Sequence, residues 1–131
     1  MAEKIILGEI NIQALLDAKY NFDNNLDKVK DDLDRAGIIQ YFEFCFELSW
    51  KTLKKILSFK GELVSNLGPR DVFRVSAKYN LIRDPELWFE FLEYRNLSSH
   101  TYKEATAKYV FSQLGSFKIE LDDLVNKILQ L

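Results

Sequence analysis

At 131 residues and a formal charge of −2, the chain has room for one hydrophobic core and is read as a single domain spanning residues 1–131. Its 47% hydrophobic and 29% charged residues exclude intrinsic disorder, and the near-neutral balance argues against a broad electrostatic grip on nucleic acid, leaving only a local patch open. The one cysteine, Cys45, excludes an internal disulfide and a multi-cysteine zinc site, and no apolar run approaches a membrane span or reads as a signal peptide, so the expected location is the cytoplasm.

With only 5 glycines and 2 prolines, long uninterrupted elements are predicted. Phe22, Leu26, Val29 and Leu33 step by four, three and four, and Leu15 and Ile12 extend that stripe backward. The spacing predicts a first helix over about 9–35, closed by Gly37. A second helix is predicted over about 38–60, ending at Gly61. Its first half, from Ile38 to Leu48, is apolar almost all round, which requires cover on several sides. The wealth of rings, 10 Phe, 6 Tyr and 2 Trp, points the same way: part of this surface is expected to be shared with a second copy of the chain.

Residues 61–69 read as a loop, with Pro69 in the first turn of a short helix through Tyr79. Asp84-Pro85-Glu86 is a sharp start signal: a capping carboxylate, a proline suited to the first turn, and an acid at the positive end of the dipole. The helix it opens runs toward Ser98-Ser99, weak helix formers that predict a break or bend. Val110, Leu114, Phe117, Leu121, Leu124, Ile128 and Leu131 then form the clearest seam, that of a last helix packed nearly antiparallel against others. The fold class is all-α, an antiparallel bundle of four to five helices.

Arg95 to Tyr102 carries the most chemistry. On a straight helix Arg95 and Tyr102 lie about 20° apart, with Asn96 and His100 on the neighbouring stripe. An arginine and an imidazole without a metal suit phosphodiester cleavage, the one neutralising phosphoryl charge and the other moving a proton near neutral pH. The same two residues equally fit a plain structural role at a helix end. Glu43, Glu47 and Lys51 are spaced i, i+4, i+8: either a solvated stripe, or a face on which Glu47 or Glu43 turns inward and holds Arg95. Lys51, Lys54, Lys55, Lys60, Arg70 and Arg74 form either a solvated face or, gathered together, a track for an RNA backbone.

Four motifs occur in order: Phe42-Glu43-x-x-Phe46-Glu47-x-x-Trp50-Lys51-x-Leu53, Pro69-Arg70-Asp71-Val72-Phe73-Arg74, Leu81-Ile82-x-Asp84, and Arg95-Asn96-Leu97-x-Ser99-His100-Thr101-Tyr102. Together, over about residues 9–130, the chain resembles the nucleotidyltransferase substrate-binding-protein-like family, a branch of the HEPN superfamily of small helical bundles. The resemblance implies a homodimer associated with a minimal nucleotidyltransferase. It also implies a metal-independent endoribonuclease of toxin type, with Arg95 and His100 catalytic and Asn96 orienting the site. In such pairs the partner uses ATP to adenylylate a tyrosine and silence the toxin, and Tyr102 stands at that place. No cofactor or metal of the chain's own is implied. The alternative is a non-catalytic substrate-binding subunit of a two-component nucleotidyltransferase. The composition adds its own reason for a dimer: in-line cleavage gains from a base and an acid, and one chain holds one histidine.

Overall fold

Two short strands, β1 (Ile5–Ile6) and β2 (Ile10–Asn11), pair antiparallel at the start of the chain. They are joined through Leu7 and Gly8 at φ +50° and +76°, a left-handed turn that Gly8 adopts without strain. This hairpin, in a computed structural model describing residues 3–131, carries Ile6 and Ile10 into the core. Among the described residues six α-helices follow: α1 (Gln13–Asn25), α2 (Asp32–Phe59), α3 (Pro69–Lys78), α4 (Pro85–Leu97), α5 (Glu104–Ser112) and α6 (Leu114–Leu129). They form the expected all-α bundle, with α2, at 28 residues, as its spine.

The first helix stops at Asn25, ten residues short of its expected end. A 3₁₀ turn over Leu26–Lys28 and an extended Val29 separate it from α2, which starts well before Gly37. The Asp31 carboxylate accepts from the Asp34 backbone N–H at 2.8 Å, so this short acidic run is a helix start. Gly37 lies inside α2, and Leu33, expected on the buried stripe, is 80% exposed. Gly61, at φ +95°, does close α2.

Both downstream caps match the sequence. Pro69 opens α3, and Asp84 accepts from Glu86 N–H at 2.9 Å to open α4. The last seam is divided at Gln113, so the bundle has one helix more than the sequence suggests. There Ser112 Oγ donates back to Tyr109 O at 2.6 Å, competing with the helical ladder. Tyr94 Oη donates to Gln113 Oε1 at 3.3 Å, and burial, aided by Tyr109, pushes the Tyr94 phenol up to about 12, keeping it a donor.

Rings fill the interior. Phe22, Phe42, Phe46, Phe73, Trp88, Phe91 and Phe117 are wholly buried, and Phe117 on α6 lies edge-on to four of them at 4.8–5.8 Å between centroids. More rings find room inside one chain than the composition implies; Tyr20, Phe44, Phe59, Tyr102 and Tyr109 stay exposed. Ionic ties flank α6. Lys19 on α1 meets Asp122 at 2.7 Å, and Lys118 meets Asp23 at 3.4 Å, while Arg83 pairs with the buried Glu120 and lies 3.7 Å from Asp123. Burial alone would lower the Lys19 pKa and raise that of Asp122, but their pairing outweighs it in both cases, so Lys19 is held above and Asp122 below its ordinary value.

Cys45 faces this core, and burial, with Asp23 adding to it, pushes its thiol up to about 12. Thiolate is the reactive form, so folded protein at pH 8 is expected to resist iodoacetamide about a thousandfold better than unfolded protein. Stoichiometric labelling without denaturant, read by mass spectrometry, would contradict that placement.

Candidate active site

Arg95 occupies the last turn of α4, where a cation also complements the helix dipole. The helix brings it against α2. Its Nε donates to Glu47 Oε1 at 3.2 Å, and its Nη1 lies 3.7 Å from Glu43 Oε2. Glu47 is itself held: its Oε2 accepts from Trp50 Nε1 at 3.1 Å, with Lys51 Nζ 3.9 Å away. These side chains are each about a third exposed or more, so each pair is worth only about 0.2–1 kcal/mol of stability. Their consequence is positional. Two carboxylates hold the guanidinium, one at Nε and one near Nη1; Nη2 enters no ion pair among the described residues, and the Arg95 side chain is 31% exposed. Of the two readings for the Glu43–Glu47 stripe, the observed contacts are those in which both carboxylates face Arg95. Trp50 was legible only as three residues from Glu47, and its role as a buttress was not.

After Leu97 the backbone leaves the α-helical path. Ser98 Oγ donates to Arg95 O at 2.6 Å and Ser99 Oγ to Asn96 O at 2.9 Å, drawing Ser98–His100 into a 3₁₀ turn. The straight-helix placement of Tyr102 beside Arg95 is therefore corrected, and Arg95, His100, Asn96 and Tyr102 do not share one pocket of a single chain. Asn96 and His100 line a shallow open hollow with Glu93 and Leu97. Tyr102 lines a separate groove of about 220 Å³ with Asp32, Arg35, Ala36, Thr101, Glu104 and Ala107. Tyr102 nevertheless reaches back: its Oη lies 3.4 Å from His100 Nδ1, with the rings edge-on at 5.8 Å. His100 is exposed, and Tyr102 is 76% exposed. Among the described residues no hydrogen bond joins Arg95 to His100, and the Asn96 side chain bonds to neither.

The basic residues divide as well. Lys54 Nζ donates to the carbonyls of Ser65 and Leu67 at 3.4 and 3.0 Å, tying down the loop after α2. Lys60 covers the Tyr79 ring at 5.6 Å. Arg70 and Arg74 both lie over the Phe89 ring. No helix of the described residues is long and apolar enough to cross a membrane.

Known proteins share this architecture. A Haemophilus influenzae protein named probable ribonuclease HepT is 35% identical over 141 aligned positions, covering 96% of this chain and 97% of that protein. Among solved structures, one from Haemophilus influenzae, described as revealing the fold of a substrate binding domain of a nucleotidyltransferase, superposes with a TM-score of 0.82 at 29% identity, over 90% of this chain and 98% of its own. A crystal structure of a Thermus thermophilus protein superposes with a TM-score of 0.79 at 26% identity, over 87% of this chain and 98% of its own. The model of the family described as nucleotidyltransferase substrate binding protein like matches residues 11–130, and with four motifs, fold and relative in agreement, the chain belongs to that family.

Proposed function

We propose that the chain is a toxin-type, metal-independent endoribonuclease that works as a homodimer in the cytoplasm and is silenced when a cognate nucleotidyltransferase adenylylates Tyr102. The observation that carries this reading is the 3.4 Å approach of Tyr102 Oη to His100 Nδ1, with His100 five residues beyond a partly exposed arginine. In cleavage, the 2′-hydroxyl of RNA loses its proton to an imidazole and attacks the adjacent phosphorus. The P–O5′ bond breaks, and the leaving 5′-oxygen takes a proton from a second imidazole, giving a 2′,3′-cyclic phosphate and a 5′-hydroxyl. Arg95 neutralises charge on the phosphoryl oxygens. Because each chain holds one histidine, the two imidazoles come from two subunits facing each other across a two-fold axis. That arrangement also lets Arg95 of one subunit complement His100 of the other, which no contact within one chain does. Asn96, beside His100 in the hollow, orients the strand there, and Glu47 orients Arg95.

In silencing, the Tyr102 phenol releases its proton, Oη bonds to the α-phosphorus of ATP on the partner enzyme, and the bond from that phosphorus to the bridging oxygen breaks as pyrophosphate leaves. Placed against His100, the added nucleotide blocks the imidazole by bulk, and its phosphate pairs with the Arg95 that the facing subunit supplies. The ribonuclease name of the 35% identical relative supports the reading. A second reading, a non-catalytic substrate-binding subunit, is favoured by the commitment of Arg95 to two carboxylates and by the description of the Haemophilus influenzae structure.

The two separate cleanly. Incubation of the purified protein with single-stranded RNA in EDTA is expected to yield cyclic-phosphate ends, and incubation with the nucleotidyltransferase and ATP to yield an AMP adduct on Tyr102 and no further cleavage. A stable complex with the enzyme but intact RNA would establish the binding subunit instead.

A further inference from the structure

The Pro69–Arg74 motif lies outside the chemistry above, and its two arginines make an unusual arrangement. Arg70 and Arg74, one turn apart on α3, place their guanidinium carbons 4.6 and 5.2 Å from the centroid of one ring, Phe89 of α4. Phe89 is only 8% exposed although Glu86, Glu93 and Asn96 on the same stripe of α4 are exposed, and both guanidiniums lie over its ring. That face continues in steps of four and three through Glu93 to Asn96, and Glu93 and Asn96 line the hollow with His100. The ring beneath the cationic pair and the Asn96 edge of the His100 hollow therefore lie on one stripe of α4, about 10 Å apart along its axis.

We propose that Arg70 and Arg74 on Phe89 form a phosphate cradle for the RNA backbone, a subsite remote from the bond that is cut. The proposal rests on the ribonuclease reading of His100. A guanidinium held over a ring by cation–π attraction keeps N–H donors for phosphate oxygens, and that contact restricts its freedom before the ligand arrives. The two arginines are not equivalent. Arg74 shares its charge with Asp71 at 2.8 Å, whereas Arg70 enters no ion pair among the described residues. Arg70 is the stronger phosphate ligand, and Asp71 holds the cradle below its full strength. Glu93, between the cradle and Asn96, repels phosphate, so the strand is fixed at two points rather than along a continuous track. A cradle of this size also suits a chain whose net charge of −2 gives no broad attraction for nucleic acid.

The test uses the intact dimer and a labelled single-stranded oligoribonucleotide with 2′-O-methyl groups, which cannot be cut, followed by fluorescence anisotropy across a salt series. Arg70→Gln with Arg74→Gln is expected to weaken binding about tenfold and to lower the slope of log affinity against log salt by about one. Asp71→Asn is expected to tighten binding several-fold, a gain that loss of folding cannot mimic. On cleavable RNA the double variant's loss is expected in KM rather than in kcat. Arg70→Lys with Arg74→Lys keeps the charge and the apolar stems, so it is expected to retain the salt slope while losing part of the affinity; thermal melts confirm that each variant folds. Unchanged affinity and slope in the glutamine variant, with wild-type cleavage intact, would overturn the cradle and leave the ribonuclease reading standing. Wild-type protein that neither binds nor cuts RNA would overturn both. A glutamine variant that binds RNA normally but no longer binds the nucleotidyltransferase would overturn the cradle in favour of a protein-docking patch.

Discussion

His100→Ala is expected to slow RNA cleavage by roughly a hundred- to ten-thousandfold, the usual worth of a positioned general acid or base. The loss should be near the upper end, because in the proposed dimer both imidazoles of the site are lost at once. His100 is exposed and its only side-chain bond among the described residues is to Tyr102, so the variant should melt at the wild-type temperature. Arg95→Ala is expected to be similarly severe, and Arg95→Lys should not rescue it: a lysine offers a point charge, not a planar fork held at Nε by Glu47 and near Nη1 by Glu43. Tyr102→Phe separates the two roles around the imidazole. It should cut RNA and yet escape silencing by the nucleotidyltransferase. Initial rates on one RNA substrate in EDTA, with and without that enzyme and ATP, measure all of these. Full activity in His100→Ala would end the catalytic assignment.

Phe117→Ala is expected to cost about 3–5 kcal/mol and to lower the melting temperature by well over 10 °C. Phe117 is wholly buried and meets Phe22 of α1, Phe42 of α2, and Trp88 and Phe91 of α4 edge to face. Removing it deletes four aromatic contacts and leaves a void walled by stiff rings from three helices, which cannot all move inward together. By contrast, Leu33→Ala, although the sequence stripe ranked Leu33 with the core, should change stability by less than about 0.5 kcal/mol, since that side chain is 80% exposed. Thermal unfolding by circular dichroism distinguishes the two. A Phe117→Ala loss below about 1 kcal/mol would mean that the interior repacks far more freely than these ring contacts imply.

The bundle was legible where polar caps and apolar period agreed. Asp84-Pro85 and Gly61 each have one local physical meaning, and the backbone follows it. It was misread between Asn25 and Asp32 because Phe22, Leu26, Val29 and Leu33 keep a helical step across a break in the helix. The acidic start at Asp31 was the competing signal, and a periodic stripe conceals such a junction when spacing alone is weighed. The β1–β2 hairpin left no trace, since two-residue strands are too short to alternate. At the site, spacing placed Glu43 and Glu47 on one face, but only packing could show which helix that face meets. The serine bonds that end α4 were legible as a weakness and not as a direction, so the placement of Tyr102 against His100 rather than Arg95 emerged from the structure alone.

The two sets of ionic ties on α6 have a consequence apart from their small energies. Lys118 and Asp122 point toward α1, while Glu120 and Asp123 point toward Arg83, about 150° away around the helix. An apolar face alone tolerates rolling: a helix turned by part of a step still buries much the same area. Tethers on both flanks oppose rolling in either sense, so they set the azimuth of Phe117 among its neighbouring rings. Salt would not slacken the two flanks alike: it screens the Lys19–Asp122 and Lys118–Asp23 ties more than the one from Arg83 to the buried Glu120, which would remain to hold the azimuth.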